Sequence, residues 1–296
     1  MSERKSVLEF YKSKNRPLIL DGAIGSNLQN ILSDKNNSMW SSSLNISDPA
    51  KVIELHSKYI NAGANIITTN TFRTNPTAYH VEQITISNAE LVKKSVRLAI
   101  QSRGENNILI AGSNAPAEDC YQIERTISHN ELYFNHLHHI EYLWRAGVDF
   151  ILNETFSHFD EIKIVCELCD QQNIPFIISL YLTDDLHILS GELLYDVIEY
   201  INQFSPIAIG INCISPATFH KIEFVKFHAI KWGFYLNCGS GKVTDEIIEC
   251  GIPPKEYSTF IRNYLQYKPL FIGSCCGSSP THTAAIKETF DEVYRN

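Results

Sequence analysis

Eight short apolar runs, with helical patterns between them, most constrain this chain. They occupy residues 17–20, 65–69, 108–112, 148–152, 176–182, 207–211, 234–236 and 270–272. Most are continuous in Val, Ile, Leu and Phe rather than alternating with polar residues. Strands read that way when both faces are covered, as in a parallel sheet. The segments between them carry helix signals. Asp48-Pro49 reads as an N-cap followed by proline at the first helical position. Val52, Leu55, Tyr59 and Ile60 then recur at helical spacing, and Gly63 ends the helix. Further helices are predicted over 88–103, 129–146, 193–204, 216–231, 253–267 and 280–293, and another is predicted to be capped by Ser157. Strand–helix alternation repeated eight times over roughly 250 residues predicts an α/β fold, a single TIM (β/α)8 barrel. A doubly wound open sheet is the rival with the same alternation. No linker or low-complexity tract interrupts the chain, so residues 1–296 are read as one domain with its core over about 17–293. The stretch 30–47, rich in Ser and Asn, is too long for an ordinary connection and reads as an active-site loop.

Composition narrows the partners. The formal charge is -8, from 33 acidic and 25 basic side chains. No basic cluster stands out, so nucleic acid is not an expected partner. The N-terminus Met1-Ser2-Glu3-Arg4-Lys5-Ser6 is polar, unlike a signal peptide. No apolar run approaches the ~20 residues that span a bilayer, so no membrane association is expected. Eight cysteines without an export signal point to a cytoplasmic protein with reduced thiols. Nothing in the chain specifies an oligomeric state.

Chemistry gathers at the strand ends. Gly273-Ser274-Cys275-Cys276-Gly277 follows the last apolar run, and Asn212-Cys213 follows the sixth. Adjacent cysteines are poorly placed to bond to each other, because their Cα atoms lie about 3.8 Å apart and a disulfide prefers roughly 4.4–6.8 Å. Cys213, Cys275 and Cys276, each at a strand end, instead suit an open zinc site with three protein ligands and a fourth position for substrate. Strand one ends in Asp21-Gly22 and strand four in Asn153-Glu154-Thr155. In a barrel these would meet at the C-terminal mouth. Asp21 and Glu154 suit a substrate ammonium, and backbone N–H groups around Gly22 suit a carboxylate. Together they describe an amino-acid site beside a zinc.

The same residues carry a family resemblance. Asp21-Gly22-Ala23, the run from Gly63 to Phe72, Glu154-Thr155, Gly210-Ile211-Asn212-Cys213 and Cys275-Cys276-Gly277 resemble the homocysteine S-methyltransferases over about 17–293. Ser38-Met39-Trp40-Ser41 is most similar to the S-methylmethionine branch. The resemblance implies a zinc-dependent barrel that makes methionine. Cys213, Cys275 and Cys276 would be the Zn2+ ligands, activating the substrate thiol. Asp21 and Glu154 would contact the homocysteine amino group, Gly22 the carboxylate, and Asn212 the substrate or its neighbours. The partners implied are homocysteine and a small-molecule methyl donor, S-methylmethionine or more weakly S-adenosylmethionine. Betaine or a methyl-corrinoid partner is the alternative donor, and a non-catalytic zinc- or thiol-binding barrel is the alternative role. Three departures touch loops rather than ligands: Ser274 for a usual glycine, Asn114-Ala115-Pro116 in a loop after strand three that reads as short, and Cys238 in the turn after strand seven.

Several reactive residues read more simply. Cys166 and Cys169 fall on a helix's apolar stripe and read as core, and Cys120 and Cys250 as structural. Cys238 lies at the mouth and is open to either role. His136, His138 and His139 spread around their helix and read as a solvated face. Trp40 and the aromatic residues around Tyr79 either pack against a cationic donor or only pack.

Overall fold

The computed structural model describes residues 4–32, 38–80, 84–227, 230–241 and 247–295. Along these the chain runs α1 (Val7–Lys14), β1 (Leu18–Ile19), α2 (Gly25–Leu28), α3 (Leu44–Ser47), α4 (Pro49–Ala62), β2 (Ile66–Thr68), α5 (Pro76–His80), α6 (Asn88–Arg103), β3 (Leu109–Asn114) and α7 (His129–Ala146). It continues through β4 (Phe150–Phe156), α8 (Phe159–Gln171), β5 (Phe176–Leu180), α9 (Leu194–Ile201), β6 (Ala208–Asn212), α10 (Pro216–Phe219), β7 (Trp232–Leu236), α11 (Pro254–Arg262), β8 (Phe271–Ser274) and α12 (Pro280–Val293). All eight expected strands are present. They pair in parallel in the order β1-β8-β7-β6-β5-β4-β3-β2. The ring closes where Leu20 bridges Ile66 and the Asn65 N–H donates to the Ile19 carbonyl at 2.7 Å. Closure excludes the open doubly wound sheet and makes the fold a TIM barrel.

Each strand buries both faces, which is why the runs do not alternate in polarity. Leu18, Leu20, Leu109, Phe150, Leu152 and Phe271 fill the barrel interior. Ile19, Ile67, Ile110, Ile151, Ile178 and Ile272 face the helix layer. Helix α1, absent from the sequence prediction, packs Val7 and Phe10 into the interior cluster. It is capped by Ser6, whose side chain accepts the Glu9 N–H. With α1 packed into the interior set of side chains, the site is left to the opposite end.

Four expectations change with the structure. The helix predicted over 216–231 shrinks to α10 and a 3-10 turn at Phe224–Phe227; residues 228–229 lie outside the described residues. There Phe219, Phe224, Phe227 and Trp232 form one aromatic cluster, so burial rather than helical spacing arranges the segment. Ser157 does not cap α8. His158 holds that position without a side-chain capping bond to the helix, and the Ser157 hydroxyl donates to the Tyr181 carbonyl at 3.0 Å. The connection after β3 is long, extending from Ala115 to the start of α7 at His129, and not short. Finally, His136 and His139 are fully buried rather than solvated. Alternation along β3 and β4 sends Asn114 and Asn153 outward, under α7. His139 Nδ1 lies 2.8 Å from Asn114 Oδ1, and His136 Nε2 lies 2.7 Å from Glu161 Oε1. Burial lowers the His139 imidazole to about 3. A fully paired polar network of this kind tolerates burial.

Candidate active site

The C-terminal ends of the strands surround a cavity of about 550 Å³, within the range of small-molecule sites. Asp21, Gly22, Glu154, Cys213, Cys275 and Cys276 all line it. The expected active-site loop contributes Ser38, Trp40 and Ser41; its residues 33–37 lie outside the described residues.

The cysteine wall comes from two strands. Cys213 follows β6 in a left-handed conformation, φ 55°, with its N–H donating to the Tyr235 carbonyl at 3.1 Å. Cys275 follows β8, its N–H bonded to the Leu236 carbonyl at 2.8 Å. Gly277 turns the chain away at φ 77°; a Cβ there would lie 2.4 Å from the Gly239 Cα, so no side chain fits. The three Sγ atoms all lie within 4.8 Å of one another. Adjacent Cys275 and Cys276 are not bonded, and their sulfurs are 4.0 Å apart. Cys213 and Cys275, however, are joined by a disulfide, which corrects the expectation of three free thiols. Closure of the barrel brings their Cα atoms to 5.6 Å, an ordinary distance for the bond. Cys276 keeps its thiol, which burial pushes up to about 11. Once that bond is reduced, three converging soft sulfurs fit a zinc ion with one position left open.

The carboxyl wall comes from β1 and β4. Asp21 accepts the Thr68 N–H at 2.8 Å and is 2% exposed. Burial raises its carboxyl well above the usual range; the Thr68 bond opposes this and the Glu154 charge adds to it. Glu154 accepts short-range from the Ser113 hydroxyl and from the Tyr235 phenol at 3.2 Å. Burial raises it to about 7 against those two bonds. A cation placed between two such carboxyls would draw both back to the charged form.

Asn212 is the predicted site residue that does not line the cavity. It is fully buried, and both ends of its amide are taken by Thr155. Ser113, Thr68 and Tyr235 were missed by sequence reasoning. The period-2 alternation would have found two of them: Ser113 follows Leu109 and Ala111 on the inward face, and Tyr235 follows Gly233. Among the residues read as structural, Cys120 lines the cavity, while Cys250 is exposed. Cys166 and Cys169 are core, as expected. Cys238 is buried outside the cavity lining. Trp40 seats its indole against Gly25, where a Cβ would come within 2.0 Å of the ring. Tyr79 instead donates its hydroxyl to the Ile86 carbonyl at 2.6 Å and stays out of the cavity wall.

Comparison with known proteins places this geometry. The family described as Homocysteine S-methyltransferase matches residues 18–290. Homocysteine S-methyltransferase 2 of Zea mays is 24% identical, over 98% of this chain and 95% of its own. The crystal structure of the Escherichia coli homocysteine methyltransferase MmuM in its metallated form superposes with a TM-score of 0.79 at 25% identity, covering 96% of this chain and 99% of that one. The oxidized form of the same enzyme gives a TM-score of 0.81 at 25% identity, with the same coverage.

Proposed function

The chain belongs to the homocysteine S-methyltransferase family, and we propose that it uses zinc in the three-cysteine site to methylate homocysteine from S-methylmethionine, or more weakly from S-adenosylmethionine. The enzyme class and the thiol acceptor follow from the family; the metal and the donor are our reading. One observation carries it: three cysteine sulfurs converge in the same cavity as two buried carboxyls with raised proton affinity.

Asp21 and Glu154 hold the homocysteine ammonium, and backbone N–H groups at Gly22 hold its carboxylate. That fixes the direction of the side chain, with the thiol toward Cys213, Cys275 and Cys276. Zinc, when bound, deprotonates a coordinated thiol at neutral pH, which a free thiol near 8.5 does not do by itself. A new S–C bond forms to homocysteine sulfur as the donor's S–CH3 bond breaks. The bonding pair stays on the departing donor sulfur, and the thiol proton goes to solvent. With S-methylmethionine both products are methionine. The protein's main contribution is alignment of sulfur, methyl carbon and leaving sulfur. Asn212 serves this indirectly, by holding Thr155 next to Glu154. Homocysteine and this donor are the partners proposed. No helix among the described residues is long and apolar enough to cross a membrane.

The test is methionine formation by reduced protein from homocysteine and S-methylmethionine, with and without a chelator. Chelator-sensitive turnover supports reaction, metal and donor together. Turnover with betaine or a methyl-corrinoid partner alone would replace the donor. Uptake of zinc and homocysteine with no product from any donor would mark a binding barrel instead.

A further inference from the structure

Four arginines have half-buried side chains, and three of them have carboxylate partners. Arg16 pairs with Asp291 at 2.6 Å, Arg125 with Asp160 at 2.8 Å and Arg103 with Asp149 at 3.7 Å. Arg73 lies on the segment after β2 and lines the cavity. Its Nη1 donates to the Glu118 carbonyl at 2.7 Å, and its guanidinium carbon lies 5.7 Å from the Phe72 ring centroid. Among the described residues no carboxylate forms an ion pair with it. A guanidinium has five N–H donors, and a half-buried one without a counter-ion is costly. Asp119 lines the same wall, its Oδ1 accepting the Tyr121 N–H at 2.8 Å.

Under the methyl-transfer reading, on which this inference rests, the charged groups of homocysteine are already matched at Asp21, Glu154 and Gly22. Arg73 and Asp119 therefore remain for the other substrate. A donor that is only an onium cation would meet an unneutralised guanidinium. A donor that also carries a carboxylate would neutralise it through a charge-assisted, bidentate contact. We infer that Arg73 binds the carboxylate of the methyl donor, so that the site selects carboxylate-bearing onium donors over bare sulfonium or ammonium ions. The contact suits a sulfonium amino acid and an ammonium carboxylate alike.

Steady-state kinetics on the reduced, zinc-loaded enzyme test this. The donors are S-methylmethionine, betaine, the methyl ester of S-methylmethionine and trimethylsulfonium; the proteins are wild type, Arg73→Gln and Arg73→Lys. In Arg73→Gln the KM for the preferred carboxylate donor should rise about tenfold to a hundredfold, the range set by one charge-assisted hydrogen bond. Its KM for homocysteine should be unchanged, and its kinetics with the ester and trimethylsulfonium no worse than wild type. Arg73→Lys should fall between. S-methylmethionine against betaine decides which onium class the site takes. If Arg73→Gln does not fold, the wild type must still prefer the free acid over its ester by about tenfold or more. Equal losses with every donor, a loss confined to homocysteine, or no acid–ester preference would overturn the inference while leaving methyl transfer intact. No methionine from any donor in wild type would overturn both.

Discussion

Asn212 and Thr155 hold each other across the mouth of the barrel. Asn212 Oδ1 accepts the Thr155 N–H at 3.1 Å, and its Nδ2 donates to the Thr155 hydroxyl at 2.8 Å. Thr155 sits at φ 65° and Cys213 at φ 55°, conformations that disfavour side-chain-bearing residues. The clamp therefore maintains two strained positions, one beside Glu154 and one in the cysteine cluster. Asn212→Ala should leave the Thr155 N–H unpaired and cost about 1–3 kcal/mol. Denaturant unfolding would measure that loss, and the KM for homocysteine should rise with it. Unchanged stability would mean the strain is held elsewhere.

Glu154 gives a pH dependence with a definite sign. Its carboxyl is raised from 4.5 to about 7 by burial. In the unfolded chain it ionises near 4.5, while the unliganded native protein keeps the proton up to about 7. The native state therefore binds more protons across that window, and stability falls as pH rises through it. Glu154→Gln should match wild type near pH 4 and exceed it in stability near pH 8, when both are unliganded. In zinc-free protein, homocysteine affinity in wild type should climb through pH 7, as the carboxylate forms to meet the ammonium, and should be weaker and climb less in the variant, where Asp21 alone titrates at the site. Isothermal calorimetry across pH 6 to 8 checks this; a flat wild-type profile would remove Glu154 from the ammonium site.

Cys276→Ala tests the metal assignment at the cysteine that is free of the disulfide. The variant should lose zinc on dialysis and form no methionine, while its circular dichroism remains that of the barrel. Full zinc content with normal turnover would refute the ligand role.

Cys169→Ala is the matched control. Cys169 is fully buried on α8 and far in function from the mouth. Removing its small side chain should cost about 1 kcal/mol with zinc content and kinetics unchanged. Loss of zinc there would mean that α8 contributes to the metal site.

Much of this molecule was legible before folding. Continuous apolar runs mark strands covered on both sides, and proline and glycine punctuate the helices, because these are short-range properties of the backbone and of burial. Polar residues after those runs marked Asp21, Glu154 and the three cysteines as mouth residues, since parallel strands in a barrel all end at one rim. The tertiary structure decided what each of them meets there. Asn212 turned to Thr155 instead of the cavity, and Cys213 met Cys275 across 62 residues of sequence. His136 and His139, polar on a helical wheel, lie on the inner face of α7 because Asn114 and Asn153 point outward beneath it. Arg73 came to the cavity wall with no ion-paired carboxylate among the described residues. Periodicity sets which side of a strand a residue occupies, but barrel closure and strand register, set by contacts far apart in the chain, choose its neighbours.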